Sequence, residues 1–190
     1  MDLPTVRLEA PATSTAPALA LRPWRLADAA DLAALGRDDA LRRWTGFPVE
    51  DETSAERWLR EQIRGRETRR RFAFAVTEPR ADGARDDLVG HVVLKYGTPG
   101  LPVAEVGYWT AAHARGRHVA SRALRALTVW AFDAFGAEGP ARLELVHQVD
   151  NAASCRVARA CGYDLVTVLP AVPPAHPLDG HLHARTAPAR

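Results

Sequence analysis

The sequence predicts an α/β (α+β) fold: a central mixed, mostly antiparallel sheet of about six to seven strands with helices on both faces. Three observations predict it. RFAFAV (71–76) alternates in the two-residue period of a strand, and DLVGHVVLKYG (87–97) reads as the returning arm of its hairpin. Val119 to Phe135 carries Val119, Ala123, Leu127, Trp130 and Ala134 along one stripe, as an amphipathic helix does. The order of elements is strand, helix, helix, three strands, helix, strand, helix, strand, strand, which places helices on a mixed sheet.

The elements follow in order. Residues 1–17 are rich in Ala, Pro, Thr and Ser and read as a flexible leader, with a single domain over 18–190. ALALRPWR (18–25) is a short strand ending at Pro23. Asp28 is placed to cap a first helix that turns Leu32 and Leu35 inward. Gly36 to Asp51 is loop-like or weakly helical and carries Trp44 and Phe47. Thr53-x-x-Glu56 is a capping box for a helix with Trp58, Leu59 and Ile63 at helical spacing. Polar turns at EPRADGARDD and TPGLP separate the strands of residues 71–110, the last being VAEVGYWT (103–110). GAEGP stops the long helix, ARLELVHQV is a strand, and Asn151 opens a helix running to about Ala160 with Gly162 as its C-terminal stop. YDLVTVL and GHLHAR complete the sheet, joined by a Pro-rich loop over Pro170 to Asp179.

Composition excludes several classes. The 190 residues suit one domain; 47% are hydrophobic and 25% charged, which argues against disorder throughout. A net charge of +2 is too small to signal a nucleic-acid binder, and no nucleic-acid partner is expected. Arg64 to Arg71 is basic, but acidic residues are interspersed, as on a solvated helix end. No run is apolar enough for a membrane span. Cys155 and Cys161 are six apart on one predicted helix and point apart, so two free thiols, and hence a cytoplasmic location, are expected.

The chemistry concentrates at Ala111 to Ala123, AAHARGRHVASRA. A strand feeding a glycine turn and then a helix leaves the first helical N–H groups unpaired at the positive end of the helix dipole. That is an anion site: Gly116 lets a phosphate approach the backbone, and Arg115 and Arg117 add charge. The alternative is a helix start with solvated arginines. Neither common phosphate loop, GxxxxGK[ST] or GxGxxG, is present.

Arg115-Gly116-Arg117-His118-Val119-Ala120 resembles the R/Q-x-x-G-x-G/A loop of the GNAT superfamily of acetyl-CoA-dependent N-acetyltransferases. E-V-G-Y-W (105–109), N-A-A-S-C-R-V-A-R-A-C-G-Y (151–163), L-R-P-W-R-L-A-D-A-A-D-L (21–32) and D-G-H-L-H-A-R (179–185) resemble its ribosomal-protein N-terminal acetyltransferase branch, and the likeness spans roughly 19–186. The resemblance implies a GNAT-type sheet splayed between its fourth and fifth strands. It implies acetyl-CoA as cosubstrate, with the loop amides of Arg115 to Ser121 (Arg115, Gly116, Arg117, His118, Val119, Ala120, Ser121) holding its pyrophosphate. His118 departs from the pattern, standing where the family has glycine; it either crowds the phosphate or assists it as an imidazolium.

Glu105 is a carboxylate within an apolar strand. Either it faces solvent, or it is buried and its pKa raised toward that of a base; the E-V-G-Y-W match favours a base acting on the amine through water. Gly107 marks a bulge or the splay, or else close packing. A backbone N–H near Tyr108 or Trp109 would then stabilise the oxyanion. Asn151 caps its helix, and the resemblance also has it bonding the pantetheine arm, with Ser154 as proton donor to the sulfur. The family's tyrosine position holds Ala158. Trp44 and Phe47, in a loop, are expected to meet substrate. His181 and His183 share a strand face, with His176 nearby, but their spacing matches no strong metal motif and no metal is expected.

These features point to transfer of an acetyl group from acetyl-CoA to a primary amine, a protein N-terminus or a small antibiotic or polyamine, by a monomer or homodimer. The rivals are a non-catalytic acyl-CoA sensor and an RNA-associated module.

Overall fold

The computed structural model describes residues 6–80, 84–97, 101–135 and 139–188. Its centre is an eight-stranded sheet: β1 (Leu8–Ala10), β2 (Leu19–Pro23), β3 (Arg71–Glu78), β4 (Asp87–Lys95), β5 (Val103–Thr110), β6 (Arg142–Gln148), β7 (Asp164–Leu169) and β8 (Gly180–Thr186). The order across the sheet is β1-β2-β3-β4-β5-β6-β8-β7. Every pairing is antiparallel except β5–β6, which is parallel. Five helices flank it: α1 (Ala29–Ala34), α2 (Asp39–Thr45), α3 (Glu52–Glu67), α4 (Val119–Asp133) and α5 (Ala152–Ala160).

Strand alternation sorts the side chains into two cores. On β3, Phe72, Phe74 and Val76 join Leu124, Leu127 and Ala131 of α4 on one face. Ala73 and Ala75 turn to the other face, where their small size admits Trp58 and Leu59 of α3. That second core is aromatic: Trp24 meets Trp58 edge-on at 5.2 Å and donates from Nε1 to His91 Nδ1 at 3.0 Å. Burial holds His91 well below the ordinary histidine range, so its neutral ring accepts this bond.

Several expectations need correction. The leader contains β1: Leu8–Ala10 pairs with β2, Ala10 is 5% exposed, and Arg122 of α4 donates to the carbonyls of Pro11 (2.8 Å) and Pro17 (2.6 Å). Residues 1–5 of that leader, the turn centres at 81–83 and 98–100, and 136–138 of the predicted helix stop lie outside the described residues. The capping box of α3 is set two residues earlier than expected. Asp51 Oδ1 accepts from Ser54 N (2.7 Å), and Ser54 Oγ accepts from Asp51 N (3.0 Å). Gly36 to Asp51 contains α2, capped by Asp38, and Gly46 ends it in the left-handed region. No helix among the described residues is long and apolar enough to cross a membrane.

Asp28 stands at the N-cap of α1, but its side chain accepts from none of that helix's N–H groups. It is buried and accepts two bonds from Arg22 (2.8 Å each), one from Arg85 (2.6 Å) and one from Arg25 N (2.9 Å). Burial alone would raise its pKa; the Arg22 guanidinium and the other donors outweigh it and hold the carboxyl below its usual value. The folded value therefore lies below the unfolded one, so the group stabilises the protein above the ordinary carboxylate range and loses that contribution as pH falls through the folded value. Asp28→Asn is expected to lower unfolding stability by about 3 kcal/mol at neutral pH. The gap to wild type should narrow below about pH 4 in urea titrations.

Candidate active site

The site grows from a break in the sheet. β5 and β6 pair through only three residues, Val103↔Arg142, Ala104↔Leu143 and Glu105↔Glu144. Beyond Glu105 the two strands part, although both continue, to Thr110 and Gln148. This is the splay expected between the fourth and fifth strands, displaced by one in number because β1 precedes them. Strand N–H groups alternate in direction, so one of the consecutive N–H groups of Tyr108 and Trp109 faces the gap.

At the open end of β5 the chain makes a short 3₁₀ turn (Ala112–Ala114) and enters α4. Gly116 has φ +76°, and a Cβ added there would meet nothing within 4 Å. The position thus presents bare backbone to open space. His118 is the residue before α4 and sits in the left-handed region at φ 59°, ψ 19°. This explains the departure seen in the sequence: the slot favours glycine on conformational grounds, and histidine is among the side chains that tolerate it. No side chain caps α4, whose first intrahelical bond is Arg122 N to His118 O at 3.0 Å. The N–H groups of Val119, Ala120 and Ser121 therefore lack intrahelical partners. Ser121 Oγ donates back to His118 O at 3.1 Å.

Both loop arginines are tethered. Arg115 forms an ion pair with Asp38, and Arg117 with Glu78 at the end of β3. Asp38 also caps α2, accepting from Ala40 N at 3.0 Å. The arginines hold the loop in place against neighbouring elements as well as adding charge.

The far wall of the gap is the start of α5. Asn151 Oδ1 accepts from Ser154 N at 3.1 Å, the cap expected of it. Ser154 faces Tyr108 across the gap. Tyr108 Oη is buried and makes no hydrogen bond of good geometry. Burial pushes its pKa up to about 12, and the Ser154 hydroxyl is the one neighbour that opposes this. The Tyr108 side chain was missed in the sequence, where only its backbone was singled out; its place after Gly107, facing the same core as Val106, was the available signal.

Three expectations do not survive the geometry. Glu105 is not buried: its side chain is 48% exposed and bonds Lys95 Nζ at 2.6 Å. Lys95 stands directly opposite it on β4. Gly107 marks no bulge, since the β4–β5 register runs unbroken from Gly90↔Thr110 to Lys95↔Glu105. Phe47 is core, wedged 5.5 Å from Trp109 and 6.5 Å from Trp58. Trp109 itself is buried in that cluster, 6.1 Å from Trp24. Trp44 lies half-buried on α2 beneath the Arg43 guanidinium, 4.5 Å away. Arg43 reaches Asp150, just before α5, at 3.0 Å. That ion pair ties α2, which carries Trp44, to the residue before Asn151.

A group of which the sequence singled out only His181 and His183 lies beside α5. Cys155, His147, His181 and His183 converge there, without His176. Burial keeps both His147 and His183 below the ordinary histidine range. Cys155 and Cys161 are both free thiols.

The left-handed His118 generates a stability prediction. His118→Gly should raise the midpoint of thermal unfolding, by an amount equivalent to about 1 kcal/mol, because glycine meets no steric penalty at that φ. A lowered midpoint would mean that the imidazole makes contacts outweighing the strain.

Comparison with known proteins agrees with this geometry. RimL, a ribosomal L7/L12 alpha-N-protein acetyltransferase in complex with coenzyme A, superposes with a TM-score of 0.77 at 20% identity, over 94% of this chain and 97% of that one. RimJ of Mycobacterium smegmatis gives 0.75 at 24% identity, over 96% and 86%. The microcin C7 self-immunity acetyltransferase MccE, in complex with acetyl-CoA and AMP, gives 0.73 at 17% identity, over 88% and 92%. These likenesses establish the fold. No curated protein matches the sequence significantly. Residues 18–164 match the acetyltransferase (GNAT) domain family, and the chain belongs to that family of acetyl-CoA-dependent acetyltransferases.

Proposed function

We propose that this acetyltransferase acts on a primary amine, in the first instance the N-terminal amine of a protein, and that it works in the cytoplasm. The observation that carries the chemistry is the juxtaposition at one gap of three features. They are the parted β5 and β6, the uncapped start of α4 behind Gly116, and the Tyr108–Ser154 pair. The protein acceptor is supported by the sequence motifs of residues 105–109 and 151–163 and by the fold shared with RimL and RimJ.

In this reading the pyrophosphate of acetyl-CoA sits on the N–H groups from Gly116 to Ser121, with the helix dipole behind them. Arg115 and Arg117 border it. The pantetheine arm enters between β5 and β6 and takes up the peptide groups that their separation leaves unpaired, with Asn151 at its side. The thioester carbonyl points at the free N–H of Tyr108 or Trp109, which is positioned to stabilise the oxyanion. The neutral amine attacks the carbonyl carbon; a C–N bond forms and the C–S bond breaks. Glu105 takes the amine proton through water, and Ser154 gives a proton to the departing thiolate with Tyr108 Oη behind it. Glu105 ends the paired section of β5, one residue before the strands part. Because Lys95 holds its carboxylate, proton transfer requires Glu105 to share or leave that ion pair. The acceptor approaches from the side of α2, where Trp44 and the Arg43–Asp150 pair frame the mouth.

Acetylation of a peptide panel with free N-termini, set against polyamines and aminoglycosides, tests the acceptor. Activity on peptides alone supports the reading; activity on small amines alone replaces the acceptor; no activity on any amine overturns it. Glu105→Gln should lower kcat by about 10²–10⁴-fold with acetyl-CoA affinity retained. A variant with wild-type kcat would remove Glu105 from the chemistry. The reading as a non-catalytic acyl-CoA sensor makes that opposite prediction.

A further inference from the structure

Four side chains with metal-binding atoms meet under α5, and the transfer chemistry uses none of them. His147 comes from β6, His181 and His183 from β8, and Cys155 from α5. One ligand atom of each lies within 4.8 Å of all the others. Sheet register explains the convergence. His147 pairs directly with His181, and His183, two residues on, shares that face. The helix then lays Cys155 over them, with Sγ 3.2 Å from His181 Nδ1 and 3.8 Å from His183 Nε2. The rings are packed tightly: His147 stacks on His183 at 5.2 Å and meets His181 edge-on at 5.4 Å.

The hydrogen bonds around the cluster fix which nitrogens face inward. His147 Nδ1 lies 2.8 Å from the Gln148 carbonyl, and His183 Nδ1 3.2 Å from the Tyr163 carbonyl. A carbonyl only accepts, so each Nδ1 carries the proton and each Nε2 presents a lone pair. His147 Nε2 is buried and has no hydrogen-bond partner among the described residues. Cys155 S–H and one N–H of His181 are the only protons in the cluster that can serve these lone pairs. An orphaned buried acceptor is costly, and a cation at the centre removes the deficit. Anchoring the outer ring N–H on a backbone carbonyl is also how metal-ligating histidines are oriented.

We propose that His147, Cys155, His181 and His183 form a tetrahedral site for a zinc ion that clamps α5 onto β6 and β8. One thiolate with three imidazoles is a ligand set that suits zinc and disfavours magnesium or calcium. Zinc bond lengths place tetrahedral ligand atoms about 3.3–3.6 Å apart, so a pair at the 4.8 Å limit must close by about 1.2–1.5 Å, within reach of side-chain rotation. Loading replaces the Cys155 S–H bond with a sulfur–zinc bond and releases the proton. The ion takes no part in acetyl transfer. It fixes the helix whose first turn carries Ser154.

Cobalt titration tests the site directly. Tag-free protein, stripped with chelator and kept reduced, is titrated with Co²⁺ and then with Zn²⁺. Saturation at one equivalent, with the visible bands of tetrahedral cobalt and a near-ultraviolet thiolate charge-transfer band, is expected, followed by displacement with zinc. Cys155→Ser should abolish the charge-transfer band. His147→Gln should weaken binding by at least as much as loss of a supporting group does, about 10–100-fold. Zinc should also raise the unfolding midpoint of wild type more than that of either variant. Absence of stoichiometric binding to the wild type, or a six-coordinate spectrum that Cys155→Ser leaves unchanged, overturns the proposal. Because the wild-type titration alone can give either result, a variant that folds poorly does not protect it.

Discussion

The separation of β5 from β6 is the constraint on which the rest of the structure depends. Two neighbouring strands normally satisfy each other's peptide groups, and buried peptide groups without partners are costly. Here pairing stops after Glu105↔Glu144 while both strands run on. Such a break persists only if other elements hold its two sides. β5 is secured by six antiparallel residue pairs with β4, and β6 by seven with β8. Across the open part, the Arg43–Asp150 ion pair and the α4–α5 packing fix the width, with Arg125 donating to the Ala160 carbonyl. The exposed peptide edges are suited to an extended amide-bearing ligand such as a pantetheine arm.

Charge around the glycine loop links the two sides of the site. Asp38 both caps α2 and holds Arg115, so α2 and the Gly116 loop share one carboxylate. Arg117 is similarly bound to Glu78, which ties the loop to the far end of β3. With their guanidinium charge partly balanced, the arginines serve position as much as attraction. In the proposed reading, anion binding then rests mainly on backbone N–H groups and the α4 dipole, which need no side chain and tolerate the histidine at position 118.

What the sequence disclosed depended on range. The alternation at 71–76, the apolar run at 103–110, the Asn151 cap and the Arg-Gly-Arg-His turn are local patterns, and the structure keeps each. Two capping boxes overlap before α3; both have the right spacing, and local sequence cannot rank Thr53/Glu56 against Asp51/Ser54. β1 is three residues in an Ala/Pro-rich stretch, and it is ordered by Arg122, more than a hundred positions away. Glu105 looked buried because its neighbours are apolar, but its parity puts it with Gly107 on the α3 face, opposite Lys95. Knowing the hairpin register would have revealed that pair. The histidine–cysteine cluster was hidden for the same reason: β8 inserts between β6 and β7, and only that register sets His147 beside His181.

On the proposed function, the parted strands and the Gly116 loop form one acetyl-CoA site. Isothermal titration with acetyl-CoA, with ATP and NAD as controls, tests it most directly. One saturable site per chain for acetyl-CoA is expected, with no comparable binding of ATP or NAD and marked weakening when Gly116→Val places a branched side chain on the bare backbone at φ +76°. Equal binding of all three nucleotides, or none up to millimolar acetyl-CoA, would contradict it.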